Sequence, residues 1–234
     1  LGFIYIKGHG IPAEIIECTR ETAYRFFRSP QEEKNKVNVS PKHRGWIKKG
    51  EAKMGDDLRP DLKESFLWGF EDENGYTPED HELRGKNQWP DFLPEMQAQA
   101  MEYFHCAHDV AHHLMRGFAL GLDLEPDFFL KTANRPLSRG SFVYYPDQSN
   151  APYDDQFGVG PHTDFGVLTI LAQDDVGGLR EGEGIADDEC AGEVLVSGKL
   201  GGARHQSGVV VAADELDVVA EAAMGRQPAN DEAE

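Results

Sequence analysis

Two residues near the middle of the chain have side chains that commonly bind metal ions. His162 and Asp164 are two positions apart, so an extended backbone directs both side chains to the same face. An imidazole and a carboxylate on one face are two of the three ligands in the facial triad that holds non-haem Fe(II), and a second histidine must come from elsewhere. The pair therefore predicts a metal site with open coordination positions, although the two ligand types alone do not dictate the metal.

The residues around this pair predict the element that positions it. Residues 167–171 form the apolar and β-branched run Val-Leu-Thr-Ile-Leu, which is typical of a strand inside a sheet. Gly158, Gly160 and Pro161 predict a turn before the pair. The sequence thus predicts that a turn supplies the two ligands and leads directly into a buried strand.

A longer stretch around the pair is more specific than the pair itself. His-Thr-Asp at 162–164 is followed by Gly-Val-Leu-Thr-Ile-Leu at 166–171, Gln-Asp at 173–174 and Gly-Gly-Leu at 177–179. This order resembles the iron-binding strand of the 2-oxoglutarate/Fe(II)-dependent oxygenases, in particular the isopenicillin N synthase-like branch. Other segments, such as Asp-Leu-Lys-Glu-Ser-Phe at 61–66 and Tyr-Tyr-Pro at 144–146, are also similar to that family, so the resemblance covers about residues 1–179.

The resemblance implies an α+β fold with a double-stranded β-helix, or jelly roll, core and flanking N-terminal helices. Apolar residues at helical spacing predict helices over 13–28 and 94–122. Strands are predicted at 3–6, 66–70, 141–146 and 209–211, and a loop is predicted over 40–65. In the family a short helix and a strand precede the segment that resembles residues 1–12, so the core is expected to be incomplete at both ends.

The resemblance also implies roles for individual residues. His162 and Asp164 are expected to bind Fe(II), and Tyr145 inherits by position a role in holding the cosubstrate 2-oxoglutarate. Val143 stands where many members have asparagine, which removes one polar contact to the cosubstrate. The remaining partners are expected to be O2 and a small-molecule substrate, which is oxidised as 2-oxoglutarate is converted to succinate and CO2.

Two elements of the family pattern are missing after Leu179. A distal histidine is expected some 50–60 residues after the first ligand, with Arg-x-Ser about ten residues later to bind the far carboxylate of 2-oxoglutarate. His205 is the only histidine after His162, and it is a weak candidate for the third ligand because it comes too early and in a different context. Little or no activity is therefore expected from the chain as written.

The composition changes at the same point. Residues 181–234 contain thirteen Asp and Glu residues against three Lys and Arg, and all 23 aromatic residues lie before residue 181. Three regions are predicted: 1–135 as an N-terminal helical and strand region, 136–180 as the first part of the jelly roll, and 181–234 as an acidic tail. The tail is expected to be out-of-frame or disordered and to add little to the core, with a genuine acidic appendage as the alternative.

Charge and cysteine usage exclude several function classes. The net charge of −19 argues against nucleic acid binding, which requires a basic face. No apolar run reaches the length of a membrane span, and no signal peptide is visible. Three widely spaced cysteines argue against a disulfide framework and favour the cytoplasm. The oligomeric state is left open.

Other polar residues have mainly structural interpretations. His9 is expected to be structural, and the histidines of the long helix, His105, His108, His112 and His113, are expected to form a polar helix face, although their spacing can hold a metal. The basic residues of 40–65 are expected to be solvated, with a role in gripping an anionic substrate as the alternative.

Two other function classes stay open on the sequence alone. One is a non-catalytic remnant or binding protein that keeps part of the oxygenase scaffold. The other is a cupin-like metal hydrolase or isomerase, because His-x-Asp alone does not require a redox metal. Succinate release that needs both iron and 2-oxoglutarate distinguishes an oxygenase from both.

Overall fold

A computed structural model of the chain shows which of these elements form. The residues that it describes are 3–52, 59–71, 81–133, 136–147, 156–159, 167–173, 180–181, 184–185, 194–197 and 208–214. His162, Asp164 and His205 lie outside these ranges.

The two long helices lie where apolar residues recur at helical spacing. Helix α1 spans Ala13–Phe27 and α3 spans Met96–Gly121, which confirms both helix predictions. The short helix α2 spans Gln31–Lys34, and single turns of 3-10 helix follow at Asn35–Val37 and Leu130–Thr132. None of the helices within the described ranges is long and apolar enough to cross a membrane.

Nine strands complete the described structure. They are β1 (Phe3–Ile6), β2 (Gly45–Ile47), β3 (Glu64–Gly69), β4 (Arg139–Tyr145), β5 (Thr169–Ala172), β6 (Arg180–Glu181), β7 (Gly184–Ile185), β8 (Val194–Ser197) and β9 (Gly208–Asp214). Seven of them form one antiparallel sheet in the order β1-β8-β5-β9-β4-β3-β2, and β6 pairs with β7. The predicted strands are confirmed with small shifts at their ends, whereas β2 forms inside the segment that was predicted to be a loop.

The central position of β9 determines how the chain is wound. β9 pairs with β4 on one side and with β5 on the other, and both pairings are antiparallel. β4 and β5 therefore run in the same direction with one strand between them. Such non-sequential strand order is typical of jelly rolls. The fold is α+β, with helices packed on one face of this sheet.

The hydrophobic core lies between that face and the two long helices. Phe66 and Trp68 of β3 and Phe142 of β4 are fully buried. The ring of Phe66 lies 4.9 Å from that of Phe26 in α1, and the ring of Trp68 lies 4.5 Å from that of Phe142. Aromatic residues alternate with smaller ones along β3 and β4, so these strands present their large side chains to the helices.

The segment after residue 180 contributes to the sheet. β8 pairs with β1 and β5, and β9 pairs with β4 and β5. The strand predicted at 209–211 lies within β9, and the interpretation of 181–234 as an out-of-frame or disordered tail stays a prediction. The region boundaries at 135 and 180 stay predictions.

Gly140 on β4 is required by the packing of Trp68. A Cβ atom at Gly140 would lie 2.1 Å from Cε2 of Trp68, which is fully buried. We expect Gly140→Ala to lower the free energy of unfolding by about 2 kcal/mol or more, because a packed core cannot yield to an added methyl group. Denaturant unfolding measures the change. Gly117→Ala is the matched control: its Cβ would meet nothing within 4 Å, so a stability change of at most about 1 kcal/mol, in the stabilising direction, is expected.

Candidate functional site

The face of the sheet that points away from the helices is the candidate site. Residues alternate between the two faces along a strand, and directly paired residues share a face. Because Phe66 and Phe142 face the helices as a pair, their neighbours face the other way. We call this side the inner face; its members on β3, β4 and β5 are Ser65, Leu67, Arg139, Ser141, Val143, Tyr145, Thr169 and Leu171.

The inner face is polar in part, and half of these eight residues are buried. Ser65, Ser141 and Thr169 are at most 6% exposed. Ser141 and Leu171 pair with the same residue of β9, Ala212, so they lie in one row across the sheet. Ser65 and Thr169 lie in two other rows. A few buried hydroxyl groups among apolar side chains are typical of a surface that binds a small molecule.

Tyr145 stands at the end of this face. It is half-buried and is the last residue of β4, where it pairs with Gly208 of β9. The preceding Tyr144 faces the helices and stacks on Phe27 at 5.2 Å, which fixes this end of the strand. The arrangement directs the Tyr145 side chain to the inner face, and its role in holding the cosubstrate stays a prediction.

The structure describes the chain segments before and after the predicted metal ligands, residues 156–159 and 167–173. In the segment before the ligands, the carbonyl of Phe157 accepts a hydrogen bond from the backbone N–H of Leu62 at 3.1 Å, and the Gln156 side chain donates to the carbonyl of Pro60 at 2.9 Å. After the ligands, β5 is buried along its whole length, as predicted for the strand that follows them in the chain. His162 and Asp164 themselves lie outside the described residues, so their role stays a prediction.

Lys63 and Asp61 form an ion pair just before the start of β3. Their side chains are 13% and 2% exposed, and Nζ of Lys63 lies 3.4 Å from Oδ2 of Asp61. Lys63 precedes Glu64, whose carboxylate faces the helix side, so alternation places Lys63 on the inner face. The sequence signals for Lys63 are its place in Asp-Leu-Lys-Glu-Ser-Phe at 61–66, which is similar to a segment of the oxygenase family, and the alternative role in gripping an anionic substrate that was open for the basic residues of 40–65.

A second basic residue of 40–65 is also buried. Arg44 is 1% exposed and donates to the backbone carbonyls of Lys42, His43 and Leu83. Burial and the charge of Arg139 lower the pKa of Arg44 to about 10, while Glu71 opposes the shift. The prediction that the basic residues of this segment are solvated is therefore wrong for Arg44 and Lys63. Carbonyl groups and an aspartate compensate these charges, which the composition of the segment does not reveal.

An ion pair on the other face secures the start of β3. Nζ of Lys34 lies 2.7 Å from Oε2 of Glu64, and the Lys34 and Glu64 side chains are 5% and 15% exposed. Trp46 also donates to Oε2 of Glu64 at 2.9 Å, and Lys34 donates to the carbonyl of Phe27 at 2.9 Å. This network connects α1, α2, β2 and β3, and it holds the strand that presents Lys63.

The other histidines have structural contacts. Nδ1 of His9 accepts from the N–H of Ile11 at 3.1 Å, and Nε2 of His108 lies 2.8 Å from Oγ of Ser138. No group of three His, Cys, Asp or Glu side chains in the described part of the chain is placed to hold a metal. The interpretation of the histidines of α3 as a structural helix face stays a prediction.

His108 makes stability depend on pH. Burial, with smaller contributions from His112 and His105, lowers the pKa of His108 from 6.5 to about 4. Between these values the unfolded chain binds more protons than the folded one, so folding weakens as the pH falls from 6.5 towards 4. The loss from this residue is about 3 kcal/mol. Denaturant unfolding at several pH values measures it: His108→Gln should flatten the dependence in this window, and His113→Gln, at an exposed position, should not.

Comparison with known families decides the classification. The family model described as "non-haem dioxygenase in morphine synthesis N-terminal" matches residues 1–92, and the model for the 2OG-Fe(II) oxygenase superfamily matches residues 139–199. The chain belongs to the 2-oxoglutarate/Fe(II)-dependent oxygenase superfamily. The second match continues about twenty residues past Leu179, where the resemblance had been expected to end.

Individual oxygenases support this classification. A 2-oxoglutarate-Fe(II) type oxidoreductase, hxnY, from Emericella nidulans is 34% identical over 190 residues, which cover 76% of this chain and 54% of the relative. Validamycin A dioxygenase from Streptomyces hygroscopicus subsp. limoneus is 34% identical over 218 residues, covering 88% of this chain and 59% of the relative. The chain thus spans little more than half the length of these curated relatives.

Solved structures confirm the fold class. A full-length Neurospora crassa protein, solved in complex with alpha-KG and thymine, superposes with a TM-score of 0.73, at 23% identity, over 92% of this chain and 76% of the other. Another neighbour, JOX2, was solved in complex with 2OG, Fe and JA and has a TM-score of 0.72 at 20% identity, over 92% of this chain and 67% of the other. Both support the jelly-roll core.

The residue types of the predicted site fit the superfamily's iron and cosubstrate. The donor types of His162 and Asp164, an imidazole and a carboxylate, suit Fe(II). On the inner face, the Tyr145 hydroxyl, the buried serines and the Lys63 ammonium suit a molecule such as 2-oxoglutarate, which carries two carboxylates and a carbonyl oxygen.

Proposed function

We propose that this chain is the scaffold of an oxygenase that oxidises a small organic substrate and releases succinate and CO2. The observation that carries the proposal is the inner face. It combines three buried hydroxyl groups, Tyr145 and the largely buried ammonium of Lys63, and the neighbouring Leu62 donates a hydrogen bond to Phe157 in the segment before His162. Relatives are named for different substrates, among them homoarginine and validamycin A, which supports small organic molecules as the substrate class and no narrower one.

The protein's own residues bind and orient the reactants. His162 and Asp164 would hold Fe(II), which together with 2-oxoglutarate supplies the activation of O2. Tyr145 donates a hydrogen bond to the cosubstrate, and the apolar side chains Leu67 and Leu171 exclude water from the same face. We further propose that turnover is slow in the chain as written, because the third protein ligand is unidentified and His205 is only a weak candidate for it.

Succinate formation tests this proposal. Purified protein is incubated with Fe(II), ascorbate, 2-oxoglutarate and O2, and succinate is quantified in the wild type and in His162→Ala. We expect slow succinate formation that requires both iron and 2-oxoglutarate and is lost in the variant. Equal succinate formation in the two proteins would contradict the proposal. Hydrolysis or isomerisation with Zn²⁺ alone would favour a cupin-like enzyme, and iron-free partner binding without succinate would favour a non-catalytic remnant.

A further inference from the structure

We propose that Trp68 and Trp89 form a relay that carries one electron from the half-buried edge of the core to an oxidant on the inner face. In this relay Glu71 accepts the proton that the oxidised Trp89 releases. A one-electron oxidant that O2 activation produces on the inner face is then reduced before it attacks the residues around it. The origin of that oxidant rests on the proposed function, whereas the relay itself rests on the packing of the described residues.

Trp68 is the inner end of the relay. It is fully buried on the helix side of β3 and pairs with Gly140 of β4. A Cβ atom at Gly140 would lie 2.1 Å from Cε2 and 2.6 Å from Nε1 of Trp68, so no side chain separates the indole from the β4 backbone. The chain neighbours of Gly140, Arg139 and Ser141, belong to the inner face. The thickness of one strand therefore separates the Trp68 ring from that face.

Trp89 is the outer end of the relay. Its ring centroid lies 6.1 Å from that of Trp68, and Trp89 is half-buried. Electron transfer between two aromatic rings in such close contact is fast. Within the described part of the chain, Nε1 of Trp68 has no hydrogen-bond partner. An oxidised Trp68 therefore has no acceptor for its indole proton and takes an electron from Trp89 instead.

Glu71 makes Trp89 the better electron donor of the two. Nε1 of Trp89 donates to Oε1 of the buried Glu71 carboxylate at 3.2 Å. Loss of an electron makes an indole N–H strongly acidic, so one proton moves from Nε1 to Oε1 and a neutral radical stays on Trp89. The oxidant gains the electron that Trp89 loses. Asn87 and Gln97, which also donate to this carboxylate, are neutral, and the guanidinium of the nearby Arg44 donates to backbone carbonyls.

Trp46, the third tryptophan of the chain, provides an internal comparison. Its Nε1 also donates to a carboxylate, Oε2 of Glu64, at 2.9 Å. Nζ of Lys34, however, lies 2.7 Å from the same oxygen and 4.9 Å from the centroid of the Trp46 ring. A cation at this position repels the positive charge of an oxidised indole and competes for the carboxylate. The structure therefore favours Trp89 over Trp46 as the electron donor.

A photo-oxidant attached to the inner face tests the relay. A ruthenium polypyridyl complex is coupled to Val143→Cys in the full chain, with the three native cysteines replaced by serine. A light flash in the presence of a soluble electron acceptor converts the complex into a one-electron oxidant, and transient absorption distinguishes a neutral tryptophan radical from the radical cation. We expect the neutral radical in this parent chain and its loss in Trp68→Phe and in Trp89→Phe. Glu71→Gln should give the radical cation instead, and the control Trp46→Phe should match the parent chain.

A second attachment point and the other outcomes complete the test. Coupling to Tyr145→Cys, at the half-buried end of the same face, repeats the measurement if Val143→Cys does not fold. The proposal is overturned if no tryptophan radical forms from either position, if Trp46→Phe removes the signal, or if Trp68→Phe leaves it unchanged. An unchanged neutral radical in Glu71→Gln would overturn it as well. Because the label supplies the oxidant, these results do not depend on iron or 2-oxoglutarate. An absence of succinate formation would therefore contradict the proposed function and leave the relay intact.

Discussion

Replacing His162 with alanine is expected to weaken Fe(II) binding by at least about 100-fold. Loss of a mere hydrogen-bond partner of a metal ligand typically costs 10–100-fold in affinity, so loss of the ligand itself costs more. Asp164→Ala should have an effect of similar size, because it removes the only anionic ligand of the predicted set. Competition with a coloured chelator under anaerobic conditions measures both affinities.

The chain offers a matched control for this experiment. His113 is an exposed histidine of α3 that contacts the backbone carbonyl of Asp109, so His113→Ala removes an imidazole without touching the predicted site. Iron affinity should be unchanged in this variant. If His113→Ala and His162→Ala weaken iron binding equally, iron binds through scattered surface histidines and the facial site is refuted.

The second large effect concerns the ion pair that secures β3. Lys34→Met should lower the free energy of unfolding by about 3–5 kcal/mol, because it leaves the Glu64 carboxylate buried without its cation. The residues are 5% and 15% exposed, so water compensates the lost interaction only in part. Denaturant unfolding of the variant and the wild type measures the change.

A double variant separates the lost ion pair from lost packing. Lys34→Met combined with Glu64→Leu removes both charges and should recover most of the stability, because a buried ion pair is often no more stabilising than apolar side chains of similar volume. If the double variant is as unstable as Lys34→Met, side-chain packing and not the uncompensated charge is the cause, and the ion-pair account of this corner of the sheet is wrong.

Local sequence patterns account for most of the helices and strands. α3 follows from apolar residues such as Phe104, Ala107 and Val110 at helical spacing, and all three are buried in the structure. β4 follows from its alternation and from the proline after Tyr145. In each case the signal lies within the element, so no knowledge of distant neighbours is needed.

Features that depend on distant residues could not be predicted. β2 pairs with β3 about twenty residues later, and its three residues carry little strand signal. Arg44 is buried because carbonyl groups from two segments, including Leu83, accept its hydrogen bonds. These features arise from tertiary packing, which overrides local preferences.

Iron-dependent binding of 2-oxoglutarate tests the central claim most directly. 2-Oxoglutarate is titrated into the protein without O2, with and without saturating Fe(II), for the wild type and for the double variant His162→Ala/Asp164→Ala. An oxygenase site predicts saturable binding that is strengthened by iron in the wild type, and no effect of iron in the variant. Binding that is absent in the wild type, or that is equal in both proteins and independent of iron, would contradict the account.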